Sequence, residues 1–257
     1  MQTNVWKKIA ALYGKEMREL LPEISVVLGL VILITGIYYI KPGNYPQLIV
    51  FPYIMLVGLV VFLPFISSGR LSREWSSNTI YLMMSLPVKG GMILGTKLLA
   101  LLSQYLINSL VLVLAGILLV FPQLNMLDTA NLNQLNELLT RGIGPMLLVY
   151  LLSIAGLSYT ISLSFFSQLA GKLVSRFSKV FTVIVFVGTF WLVSHLIDLL
   201  VMPIWPQLGF DLAGPFNSAV HMGLVNKFLA INSLILIVAA LLLLVLSSIV
   251  YNRRVEL

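Results

Sequence analysis

The chain has 257 residues, of which 59% are hydrophobic and only 10% are charged. Soluble globular domains contain about 45–50% apolar and about 25% charged residues, so this composition excludes a soluble domain. The sequence contains no cysteine, which excludes disulfide scaffolds, thiol catalysis and cysteine-ligated zinc. The class that remains is an integral membrane protein, and the mean hydropathy of +1.01 agrees with it.

Six stretches of the sequence are apolar enough to cross a membrane as helices. A spanning helix needs about 20 mostly apolar residues, whereas the strands of a membrane barrel would alternate apolar and polar residues. The runs here are continuously apolar. The sequence therefore predicts an all-α polytopic fold that forms a single transmembrane domain over residues 1–257. The predicted spans cover residues 24–40, 48–68, 98–121, 143–168, 180–202 and 228–250.

Ahead of the first span, apolar side chains recur at spacings of three and four residues. Such spacings place them on one face of a helix, so residues 1–21 are predicted to form an amphipathic helix in the membrane interface. Pro22 is expected to break this helix and let the chain turn into the first span. The apolar residues are Trp6, Ala10, Tyr13, Met17 and Leu20.

The basic residues predict the orientation of the spans. Of the 16 Lys and Arg residues, all but Lys41, Arg141 and Lys227 lie on one side of the six predicted spans. The side that is rich in basic residues faces the cytoplasm in membrane proteins, so both termini are predicted to be cytoplasmic. The net charge of +7 then reflects topology and attraction to anionic lipid headgroups, and no nucleic-acid partner is expected.

The predicted cytoplasmic loop at residues 69–97 is the most informative segment. Polar residues at 76–79 favour a helix start, and a short apolar helix is predicted to follow until Pro87 ends it. Its apolar side chains are poorly explained in water, which indicates burial in lipid headgroups or in another protein. Gly90 and Gly91 are expected to supply a flexible turn before the next helix begins at residue 92.

The pattern of this loop resembles the signature loop of ABC-2 type transporter permeases. The matching residues are Glu74…Thr79…Leu86-Pro87-Val88…Ile93-Leu94-Gly95-Thr96-Lys97, and the predicted topology of the whole chain is similar to that of the family. The resemblance implies a permease that dimerises or pairs with a sister permease and binds separate ABC ATPase subunits. It implies that the loop forms a coupling helix, with these residues at the ATPase contact: Glu74, Thr79, Ile80, Tyr81, Met83, Met84, Leu86, Pro87 and Lys89.

The sequence lacks the G-x-x-x-x-G-K-[ST] phosphate-binding loop. ATP and Mg are therefore expected on a partner subunit, and this chain is expected to bind no cofactor or metal and to carry no catalytic residue. The resemblance implies ATP-driven export as the function. The spans contain almost no fixed charge, which favours an amphipathic or apolar substrate, such as a peptide, a drug or a lipid-like molecule. The expected location is the cell membrane, most simply a bacterial plasma membrane.

His195 and Asp198 carry the alternative interpretation, because they stand three residues apart on one face of the fifth span. Ionisable residues inside a span are candidates for function, so an ion-coupled secondary transporter remains open. Helix capping near the end of the span explains Asp198 equally well. Asn108 in span three and Asn232 in span six are candidates for a substrate path or for hydrogen bonds between helices.

Two segments lie on the predicted outer side of the membrane. Residues 203–227 combine aromatic side chains with several Pro and Gly residues. This composition fits either a re-entrant segment or an ordinary aromatic-belt loop. Residues 122–141 contain regularly spaced leucines, and they are predicted to form an amphipathic helix on the outer surface.

Overall fold

The computed structural model of the protein describes residues 5–40, 47–76, 89–124, 129–172, 174, 177–201 and 218–255, and nearly all of these residues are helical. No strand occurs in these ranges. The helices are α1 (Val5–Ile40), α2 (Gln47–Ser68), α3 (Arg70–Ser76), α4 (Gly90–Leu124), α5 (Thr129–Gly171), α6 (Ser178–Val201) and α7 (Ser218–Val255).

Six of these helices are long and apolar enough to cross a membrane. They are α1, α2, α4, α5, α6 and α7, and they coincide with the six predicted spans. The short helix α3 follows α2 after a single turn at Gly69. The predicted all-α polytopic fold is therefore confirmed, and it is the architecture of a multi-pass membrane protein. The orientation of the termini stays a prediction.

The expected break at Pro22 is wrong, because α1 is one continuous helix of 36 residues with Pro22 inside it. At about 1.5 Å per residue, α1 is about 54 Å long, which is more than the membrane thickness requires. A proline inside a helix removes one backbone hydrogen bond and crowds the preceding turn. Side-chain contacts with neighbouring helices hold α1 on both sides of Pro22, and Arg70 donates a hydrogen bond to the carbonyl of Glu19 in that preceding turn, with Nη1 2.7 Å from the oxygen.

The helices α5 and α7 also continue past their predicted spans. The helix α5 begins at Thr129 and runs without a break into the fourth span, so 129–141 is helical but is not a separate surface helix. The helix α7 begins at Ser218, which makes the last part of 203–227 continuous with the sixth span. Residues 202–217, where the remainder of the proposed re-entrant segment falls, lie outside the described residues.

The core of the bundle joins α1, α2, α4 and α5. The helices α1 and α4 lie side by side, and hydrogen bonds connect Tyr13 to Ser103 at 2.8 Å and Tyr39 to the carbonyl of Leu118 at 2.8 Å. Residue numbers rise together along both helices at these contacts, so α1 and α4 run parallel. In a membrane, close packing and hydrogen bonds between helices replace hydrophobic burial as the driving force for association.

The fifth span is peripheral. The helix α6 packs mainly on α5, and none of the residues in its apolar segment is buried. By contrast, α5 is in extensive contact with α7 and also touches α2 and α4. The described bundle therefore consists of five packed spans and one outer span.

Candidate functional site at the base of the loop

Only the base of the predicted cytoplasmic loop at residues 69–97 lies within the described residues. Glu74 lies near the end of α3, and Lys97 lies in the second turn of α4. The predicted coupling residues Thr79, Ile80, Tyr81, Met83, Met84, Leu86 and Pro87 lie outside the described residues. Lys89 is exposed, and its carbonyl accepts a hydrogen bond from the Met92 amide at 2.9 Å, which places Lys89 at the start of α4.

The two ends of the loop are joined through a buried lysine. The Lys97 ammonium lies 2.6 Å from Glu74 Oε1 and 2.8 and 2.9 Å from the two carboxylate oxygens of Glu16. The Lys97 side chain is only 5% exposed, and the two glutamates are 11% and 13% exposed. We call Glu16, Glu74 and Lys97 the anchor triad. It ties α3 at one end of the loop to α4 at the other end and to α1.

In the anchor triad, the buried charge of each side chain is stabilised by an oppositely charged partner. An ion that is removed from water loses several kcal/mol of solvation, and close oppositely charged partners offset that loss. Glu16, Glu19 and Glu74 bring carboxylate oxygens within 4.8 Å of one another, an arrangement that could hold a cation. The Lys97 ammonium already supplies the positive charge to two of them, so the cluster fits an ion-pair anchor rather than a metal centre.

A second polar cluster lies nearly two helical turns further along α1 and α4. Glu23 pairs with Arg70 and accepts hydrogen bonds from Ser67 Oγ at 2.5 Å and from Gln104 Nε2 at 2.8 Å. Gln104 is fully buried. We call Glu23, Ser67, Arg70 and Gln104 the Glu23 cluster. It joins the end of α2 and the start of α3 to both α1 and α4.

The anchor triad and the Glu23 cluster are separated by the same number of residues on α1 and on α4. Glu16 and Glu23 are seven residues apart on α1, and their partners Lys97 and Gln104 are seven residues apart on α4. Seven residues make nearly two helical turns, or about 10 Å. The same faces of the parallel helices α1 and α4 therefore meet at the anchor triad and again at the Glu23 cluster. A cavity of about 20 Å³ lies beside the triad, with Arg70 in its wall, and it has room for about one water molecule.

A third set of contacts fastens α2 to α5. Ser68 Oγ lies 2.8 Å from Ser164 Oγ, and Gln168 Nε2 donates to the carbonyl of Ser68 at 3.3 Å. Both serines are buried. Hydrogen bonds between helices at membrane depth contribute about 0.6 kcal/mol each on average. The base of the loop is thus connected to four spans, which are α1, α2, α4 and α5.

The glycine pair after the loop is packed against the last helix, so the expected flexible turn is wrong. Gly90 and Gly91 begin α4 instead of preceding it. The Gly90 amide donates to Asn252 Oδ1 at 3.0 Å, and a side chain at Gly90 would collide with Tyr251. A Cβ at Gly91 would lie 2.8 Å from Ser248 Oγ. The glycines are needed for the close approach of α4 and α7.

The polar residues predicted inside the spans do not gather into one site. His195 and Asp198 are both exposed on α6. His195 stacks on Trp191 with ring centroids 5.6 Å apart, and no hydrogen bond joins His195 to Asp198. Asn232 donates to the carbonyl of Phe228 in its own helix at 2.9 Å. Asn108 is fully buried, and neither of its amide atoms has a hydrogen-bond partner within the described residues.

Sequence reasoning missed most of the partners in this site. Glu16, Glu23 and Gln104 were not singled out from the sequence. One signal was available, because an acidic pair seven residues apart on the first helix matches a polar pair with the same spacing at the start of the third span. Comparison of the chain with models of protein families, with curated proteins and with solved structures gave no match.

Proposed function

We propose that this chain is the membrane-spanning permease subunit of an ATP-driven ABC exporter. The observation that carries the proposal is the anchor triad, because it joins Glu74 and Lys97 from the two ends of the signature loop at 2.6 Å. In the resemblance on which the proposal rests, this loop receives the motion of a partner ATPase. A receiving loop needs a firm connection to the spans, and the triad and the Glu23 cluster are such a connection.

The proposed mechanism is transmission of movement through the base of the loop. ATP binding closes a pair of partner ATPases and displaces residues 77–88. Glu74 and Lys97 move with the loop, and Glu16 passes the displacement to α1. The contact of Gly90 with Asn252 passes it to α7. The spans of a permease dimer then rearrange by alternating access or by lateral extrusion of the substrate.

The substrate class is amphipathic or apolar, namely a peptide, a drug or a lipid-like molecule. The buried Lys97 of the described spans is paired in the anchor triad, and the partly buried Glu23 and Arg70 are paired with each other in the Glu23 cluster. Both lie toward the loop end of the bundle. An unpaired charge within the membrane is expensive, so a polar ion would find little fixed charge to bind along the remaining described lengths of the spans.

The proposed partners are two ABC ATPase subunits and a second copy of the permease or a sister permease. The peripheral position of α6, which has no buried residue in its apolar segment, leaves a free span face for such a neighbour. ATP and Mg would bind the ATPase subunits. The proposed location is the plasma membrane with both termini in the cytoplasm.

The ion-coupled alternative through His195 and Asp198 receives less support. A coupling carboxylate in such a transporter lies at the midplane, in the bundle interior or in a water-filled cavity. Asp198 is exposed on the peripheral helix α6 instead. The buried carboxylate of Glu16 and the partly buried carboxylate of Glu23 already have cationic partners, Lys97 and Arg70.

The coupling proposal is tested at the loop itself. Replacing both methionines, Met83→Asp and Met84→Asp, places charge on the predicted docking surface, so we expect the ATPase to dissociate during affinity purification. Membrane abundance and protease protection of the spans should stay at wild-type levels, which separates loss of docking from failed insertion. Unchanged ATPase recovery with the double variant would refute docking at this helix.

A further inference from the structure

A groove opens on the surface of the bundle between α2, α5 and α6. Its volume is about 490 Å³, within the roughly 300–1,000 Å³ of pockets that bind small ligands. Two phenylalanines on α2 and two on α6 form its side walls, and α5 forms its floor. We call it the Phe groove, after Phe62, Phe65, Phe186 and Phe190.

The shape of the Phe groove follows from where the three helices touch. The helices α5 and α6 are in close contact at their connected ends, where a side chain at Gly171 would collide with Thr182. Phe65 and Phe186 then bridge α2 and α6, with ring centroids 6.0 Å apart. Beyond this bridge, Gly156 lines the groove, and a Cβ at this position would meet no atom within 4 Å.

The lining of the Phe groove offers little to a polar ligand. The described residues that line it include no charged side chain. Its two hydroxyls are already engaged, because Ser153 Oγ lies 2.7 Å from Tyr105 Oη and Thr160 donates to the carbonyl of Leu157 at 3.0 Å. An occupant that needs no hydrogen bonds in the groove is therefore favoured, and a hydrocarbon chain satisfies this condition.

A basic residue stands above the Phe groove on the same helix face. Lys179 is exposed and precedes Phe186 by seven residues and Phe190 by eleven, spacings that share one face of a helix. Along the axis, these phenylalanines lie about 10 Å and about 16 Å from Lys179. One leaflet of the hydrocarbon core is about 15 Å thick. A lipid whose phosphate contacts Lys179 would therefore place its acyl chain along both rings.

We propose that the Phe groove binds one acyl chain of an anionic phospholipid whose headgroup is held by Lys179. Basic residues at the membrane surface attract anionic headgroups, and the aromatic walls supply the contacts for the chain. The site depends on the membrane-spanning fold alone, and it stands whether or not the protein is an exporter.

The test is native mass spectrometry of the full-length protein in mild detergent, titrated with phosphatidylglycerol or phosphatidylcholine that carry the same acyl chains. We expect one tightly bound phosphatidylglycerol per chain, with an affinity about fivefold higher than that of phosphatidylcholine, as one surface lysine would give. Gly156→Leu fills the groove and should weaken binding of both lipids at least tenfold. Lys179→Gln should abolish the preference and leave phosphatidylcholine binding unchanged.

Two matched variants serve as controls. Gly188→Leu adds the same side chain to an exposed site on α6 where a Cβ also meets no atom, and Lys7→Gln removes an exposed lysine from α1. Both should bind lipid as the wild type does. Equal effects of Gly156→Leu and Gly188→Leu, or a headgroup preference that survives Lys179→Gln, would overturn the proposal. A protein dimer that Gly156→Leu disrupts, with lipid binding intact, would assign the groove to a second copy.

Discussion

Removing the Lys97 ammonium is the sharpest perturbation of the anchor triad. In Lys97→Met, two carboxylates with side chains 11% and 13% exposed lose their shared partner. At an effective dielectric constant near 20, unit charges about 2.7 Å apart attract by about 6 kcal/mol, and desolvation of the three ions offsets most of this gain. Breaking a buried pair by removing one partner costs about 3–5 kcal/mol. For a chain of this length that corresponds to a fall in Tm of roughly 6–20 °C.

The assay is thermal unfolding of the purified protein in detergent, and its control is Lys15→Met. Lys15 is 45% exposed and lies 3.5 Å from Glu19 Oε1 and 3.8 Å from Glu16 Oε1. Because solvent screens such an exposed pair, the loss of Lys15 should change the free energy of unfolding by no more than about 1 kcal/mol.

A triple variant separates stability from coupling. Glu16→Gln, Lys97→Met and Glu74→Gln together remove every charge of the triad, so most of the lost stability should return while transport-linked ATP hydrolysis stays low. A Lys97→Met protein as stable as the Lys15→Met protein would refute the buried ion-pair reasoning. Full transport activity in the triple variant would refute the role of the triad in coupling.

Two other predictions address the α4–α7 contact and the fifth span. Gly90→Val forces a side chain into Tyr251 and should lower the free energy of unfolding by about 1–3 kcal/mol, as measured by the same thermal assay. Gly95→Ala, where a Cβ meets no atom, should be neutral or slightly stabilising, and equal losses in the two variants would contradict the packing argument. Asp198→Asn should change the rate of substrate transport in vesicles less than twofold, because Asp198 is exposed on α6. Abolished transport would support ion coupling instead.

The spans were predictable from the sequence because hydropathy is a local property. Segments such as 48–68 contain a full membrane crossing of apolar residues, and no distant contact is needed to define them. Helix ends were less predictable. Gly90 and Gly91 are typical of a flexible turn, but α7 packs against them and lets α4 begin at Gly90. The sequence around the pair contains no sign of this distant helix.

The partners in the candidate site could not be predicted from local patterns. Glu74 and Lys97 both belong to the predicted loop at residues 69–97. Their joint contact with Glu16, however, depends on how α1 and α4 are aligned along their axes. Pro22 illustrates the same limit, since its local effect is to break a helix. In the fold, α1 continues through Pro22, and Glu16 and Glu23 on either side of the proline contact α4. Register between distant helices is set by packing, which a single sequence does not display.

The central claim is that this chain works as a permease driven by a separate ATPase. Its most direct test is purification from native membranes in mild detergent, followed by mass spectrometry of the proteins that stay bound. The account predicts a soluble ATPase in stoichiometric amount, lost when Met83 and Met84 are replaced with Asp. A permease that carries no ATPase, both after purification and after crosslinking in intact cells, would contradict the account.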